Sequence, residues 1–163
     1  MSSKRLRKYG KINQEKSVSF TWEKNKYFGC EGDTLASALL ANNIKIVGRS
    51  FKYHRPRGIL SAGVEESGAL VTVGIGEYRD PNVRATTQEL YEGLNASGQN
   101  AFPNVNFDLG YINNYLGRFF SAGFYYKTFM GIPPFEWGKG TGIWMIFEKL
   151  IRKAAGMGSA PKL

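Results

Sequence analysis

The sequence predicts a small α+β domain, a mixed sheet with one helix packed on a face. Two observations carry this. Apolar residues alternate in 18–28, take a helical spacing in 34–42, and return to short β-rich runs at 44–47, 70–73 and 83–86. The composition agrees: 163 residues, 42% apolar, with 11 Phe, 9 Tyr and 3 Trp, suit a folded chain with one modest core and exclude a wholly disordered one.

Residues 1–16 are polar and basic, with only Leu6, Tyr9 and Ile12 to bury, and are expected to form a flexible or partner-docked arm. A compact unit is expected over 17–100, followed by an aromatic and helical extension over 101–163. The unit opens with a hairpin: Val18–Trp22 alternates, Glu23–Asn25 turns, and Lys26–Phe28 returns. A helix follows over 34–42, with Asp33 or Thr34 as N-cap, Leu35, Ala38 and Leu39 on one face, and Asn42-Asn43 at its end. Ile44–Val47 reads as a short strand. Gly48–Gly68 has no sustained period, and so long a loop inside a compact domain is usually functional or shaped by a partner. Leu70–Val73 and Val83–Thr86 are the remaining strands, joined through a Gly-rich turn containing Asp80-Pro81. Further on, Phe107–Leu116 suits a helix, Phe119–Met130 is rich in aromatics, and Ile143–Ala154 is an amphipathic helix with Ile143, Ile146, Phe147, Leu150 and Ile151 on one side.

The net charge of +9 is concentrated at the front. Residues 1–58 hold 13 Lys+Arg against 4 Asp+Glu, whereas residues 59–163 hold nine of each. Such a face attracts phosphates, acidic partners or anionic lipid. No leader-like apolar segment opens the chain and no apolar run is long enough to span a bilayer, so a soluble, cytoplasmic protein without a membrane partner is expected.

Chemistry-bearing motifs are sparse. One cysteine, Cys30, and one histidine, His54, cannot furnish the usual ligands of a structural zinc or an iron–sulfur site, so no metal residue is assigned. Gly74-Ile75-Gly76 lacks the third glycine and the strand-to-helix setting of a dinucleotide fingerprint, and no phosphate loop is present, so no cofactor-binding residue is assigned. Ser61, His54, Glu65 and Glu66 lie close in sequence, but nothing around them resembles a nucleophile elbow, and no residue is assigned as catalytic. The run Arg49–Arg57 interleaves cations with Phe51, Tyr53 and His54, a pattern that suits nucleic acid; a loop fixed by its neighbours is the favoured reading.

Several stretches carry a resemblance: Gly32–Asn42, Val47–Ser61 with its Arg-Ser-Phe-Lys-Tyr-His-Arg-Pro-Arg core, Ala69–Val73, Pro81–Leu90 and Phe124–Met130. Together they resemble the N-terminal region of the alpha subunit of heterotetrameric sarcosine oxidase, over about residues 18–156. The resemblance implies a β-grasp, [2Fe-2S] ferredoxin-like fold. The plant-type spacing Cys-x4-Cys-x2-Cys with a distant fourth Cys, laid after Arg57-Gly58, falls near Ser61, Glu66 and Ala69, with the fourth near Thr86. None is cysteine, and a hydroxyl, a carboxylate and a methyl cannot replace thiolates on iron, so a scaffold without its cluster is expected.

The resemblance further implies a structural part in a flavin enzyme that demethylates sarcosine oxidatively, passes the one-carbon unit to tetrahydrofolate or releases formaldehyde, and forms hydrogen peroxide. FAD, FMN, NAD and tetrahydrofolate would be held elsewhere in that assembly. The partners implied are the rest of the alpha subunit and the beta, gamma and delta subunits, with Arg49, Lys52, Tyr53, His54, Arg55 and Arg57 as the docking group. The chain would then be a fragment, a truncated product or a split subunit, ending before the family's nucleotide-binding fingerprint. A basic polyanion-binding module and a ferredoxin-like electron carrier are the alternatives, and the missing cysteines weigh against the second.

Overall fold

Alternation in the first apolar run builds a hairpin, as expected, in the computed structural model, which describes residues 5–6, 10–117 and 143–154. Strand β1 (Asn13–Trp22) pairs antiparallel with β2 (Asn25–Glu31), Phe20 opposite Tyr27 and Trp22 opposite Asn25. Glu23 and Lys24 both take positive φ, 50° and 68°, the backbone that a tight two-residue turn needs to match the strand twist. The strand begins at Asn13, inside the segment expected to be an arm.

Helix α1 (Leu35–Ala41) starts where its cap chemistry dictates. The Thr34 hydroxyl accepts from the Ser37 amide at 3.2 Å, and the Ser37 hydroxyl accepts from the Thr34 amide at 3.0 Å. Asn42 closes its other end, donating to Ala38 O from both backbone and side chain. Leu35, Ala38 and Leu39 are fully buried against Phe20, Trp22 and Val71.

The expected strand over Ile44–Val47 does not form. Val47 is buried and Ile44 and Ile46 pack against the core, while pairing is delayed to β3 (Gly48–Arg49) against β4 (Pro56–Arg57). Pro56 has no amide to donate, which keeps this second sheet short. Strand β5 (Leu70–Val73) matches expectation, and β6 spans Asp80–Arg84, earlier than the expected 83–86. Strand β7 (Leu94–Gly98) escaped the reading, because Leu-Asn-Ala-Ser-Gly lacks β-branched and aromatic residues. It is nevertheless central: the sheet order is β2-β1-β7-β5-β6, with β7 parallel to β1 and antiparallel to β5. Small residues are needed there, since a Cβ on Gly98 would lie 2.1 Å from Val105.

Val105 is itself fully buried, so the core reaches past residue 100. The helix expected over 107–116 is reduced to a 3-10 turn, Leu109–Tyr111, running into α2 (Ile112–Tyr115). Helix α3 spans Ile143–Ala154, as its period predicts. The aromatic stretch 119–130 lies outside the described residues. Among the described residues, no helix is long and apolar enough to cross a membrane.

Candidate functional site

Two loops line one cleft. The first, 58–69, holds three of the four cluster-spaced positions and closes on the carboxylate of Glu66, which is 1% exposed. Its Oε2 accepts from the amides of Leu60 and Ser61, each at 2.6 Å, and its Oε1 from those of Gly68 and Ala69, the latter at 3.1 Å. The fourth position, Thr86, sits just beyond β6 and donates its hydroxyl to Gly63 O at 2.6 Å. The amides of Ser61 and Ala69 and the Glu66 carboxylate meet within this loop, and Thr86 fastens to it from beyond β6. Burial drives the Glu66 carboxyl up; the amides of Ser61, Gly68, Leu60 and Ala69 outweigh it and hold the group below its ordinary range.

The chemistry of this donor set does not fit a cluster. Its side chains are two hydroxyls, one carboxylate and one methyl, and the carboxylate is already consumed by the loop amides. Cys30 lies on β2 opposite Ser17 and contributes nothing here. Among the described residues, no group of three or more His, Cys, Asp or Glu side chains could hold a metal ion.

The second loop, 49–57, is the basic one, and most of its charges are engaged within the chain. Arg49, one of the expected docking group, is 8% exposed, with its Nε donating to Val105 O at 2.8 Å and its Nη1 to His54 O at 3.2 Å. Segment 102–106 supplies the carbonyls of Val105 and Asn106, onto which the guanidinium forks. His54, at φ 53°, is half-buried and places Nδ1 2.8 Å from Oδ2 of Asp108. Its ring nitrogen is paired with Asp108, while the Glu66 carboxylate is taken up by the loop amides. Asp108 is buried; although burial favours its neutral form, hydrogen bonds from Phe102, His54 and Gly110 hold its carboxyl below the ordinary value.

The outer face of this loop is a cation–aromatic stack. Lys52 Nζ and the Arg55 guanidinium lie 4.9 and 4.8 Å from the Tyr53 ring centre. Arg55 also donates to Asn114 at 2.8 Å, and Arg55, Arg57 and Phe51 are exposed. A cleft of about 270 Å3 separates the loops, lined by Phe51, Arg57, Ser67, Asn82 and Asn100 among others. The sequence reading missed Asp108 and Glu66 as organisers. Asp108 carried one signal, the Asp-x-Gly spacing of an Asx turn, realised as Gly110 N donating to Oδ1 at 3.1 Å.

Comparison with known proteins adds an independent line. The family described as a 2Fe-2S iron–sulfur cluster binding domain matches residues 15–101. "Sarcosine oxidase subunit alpha" of Rhizobium meliloti (strain 1021) is 56% identical over 160 residues, which is 98% of this chain and 16% of that protein. Its namesake from Corynebacterium sp. (strain U-96) is 43% identical over 90 residues, covering 53% of this chain and 9% of that protein. Among solved structures, L-proline dehydrogenase from P. horikoshii aligns with a TM-score of 0.41 and 23% identity, over 53% of this chain and 16% of that one. The chain therefore spans about a sixth of the length of its relative from R. meliloti.

Proposed function

We propose, for a chain that belongs to the 2Fe-2S iron–sulfur cluster binding domain family but does not carry that family's thiolates, a non-catalytic docking role. It would serve within a cytoplasmic, heterotetrameric, sarcosine-demethylating flavin enzyme. The observation that carries this reading is the closed loop 58–69: a carboxylate and a hydroxyl hold the segment where electron-carrying chemistry would reside, and the shaped scaffold remains. The exposed Phe51, Arg55 and Arg57, with Lys52 and Tyr53 beside them, form the face offered to the rest of an alpha subunit and to beta, gamma and delta subunits. Arg49 and His54 act behind that face, fixing its shape. FAD, FMN, NAD and tetrahydrofolate belong elsewhere in the assembly.

Co-expression with the remaining subunits tests the proposal. Co-elution in a yellow, flavin-containing, iron-free complex is expected, and R55E/R57E should weaken incorporation at least about tenfold, since desolvated charge reversal costs several kcal/mol. A chain that elutes alone beside all of those subunits, or a brown protein containing iron, would overturn it.

A further inference from the structure

Loop 58–69 has the geometry of an anion-binding site whose occupant is covalently part of the chain. Four amides converge on two oxygens, a pair to each, and side-chain cations take no share: among the described residues no ion pair involves Glu66, and the nearby Arg84 Nε bonds the Glu66 backbone carbonyl instead, at 3.3 Å. The charge is therefore balanced by oriented peptide dipoles, as in the backbone nests that bind free anions. The framework around it is closely packed. A Cβ on Gly68 would lie 2.7 Å from Gly58 O, so the loop ends approach closely only with glycine there, and Thr86 ties the far side through Gly63 O.

We propose that 58–69 is a carboxylate cradle, filled in cis by Glu66, and that emptying it creates a site for a small exogenous carboxylate. Glu66→Ala keeps Cβ and removes a fragment whose heavy atoms are those of acetate. Glu66→Gln keeps the shape but offers one acceptor oxygen and one NH2, so in either orientation a donor faces two amides.

Thermal unfolding of the full chain, with sodium acetate titrated against sodium chloride at equal ionic strength, tests this. Expected is a Tm lowered by at least about 5 °C in E66Q and in E66A, with E66A recovering saturably in acetate alone and the unsubstituted chain indifferent to it. Acetate acting no better than chloride on a folded E66A would overturn the proposal. Should E66A fail to fold in both salts, E66Q decides: a Tm within about 1 °C of the unsubstituted chain overturns the cradle, and a loss of about 5 °C or more upholds it.

Discussion

Asp108 joins two backbone amides and one imidazole through one carboxylate. Its Oδ1 accepts from Phe102 N at 3.0 Å and Gly110 N at 3.1 Å, while its Oδ2 meets His54. Because the folded carboxyl binds its proton less readily than an unfolded one, its contribution is complete above the ordinary aspartate value of about 4 and is lost as pH falls through the lower folded value. Urea unfolding of D108N against the unsubstituted chain should therefore show a stability gap at pH 7 that closes in acid. A gap of constant size from neutral to strongly acid solution would remove Asp108 as its source. Gly110 is bound to the same contact, since a Cβ there would sit 2.3 Å from the His54 ring. G110A should accordingly push the histidine off the aspartate and speed proteolysis within 49–57. Neither group was singled out from sequence for this, as 54 residues separate His54 from Asp108.

Among the elements, α1 was the most legible. Its cap, apolar face and end residues are all local, and the helix formed within one residue of its expected ends. T34A removes half of the reciprocal cap and should lower unfolding free energy by about 1 kcal/mol, read as a fall in urea midpoint at unchanged slope. Asp33, just before it, answers to distant residues: it is buried and accepts from Cys30 N, from Ser37 Oγ and from the Arg5 guanidinium. Part of the basic arm is thereby tied to the start of the helix. Strand β7 is the opposite case. Its sequence has little β propensity, and it is a strand because β1 and β5 flank it and satisfy both its edges.

Across the fold, the basic loop and segment 102–114 form one unit, joined by Arg49, His54 and Arg55. Arg49→Ala would leave the carbonyls of Val105, His54 and Asn106 without that donor, and should destabilise by about 1–3 kcal/mol. Truncating the chain at residue 100 should cost more, because Val105 leaves the core as well. A calorimetric midpoint unchanged in R49A would return that arginine to the docking face.

Local pattern was enough for the hairpin, α1, β5 and α3, since each depends on periodicity and on caps within a few residues. Residue chemistry alone also settled that four cluster-spaced positions hold no thiolate, because a ligand's identity needs no coordinates. Which of those positions would matter was invisible: that Glu66 turns inward onto four amides, that Arg49 faces Val105 across 56 residues, and that β7 is central all depend on chain closure. A buried polar group is defined by the partners that surround it, and those partners are assembled by packing between segments that carry no mark of one another along the chain.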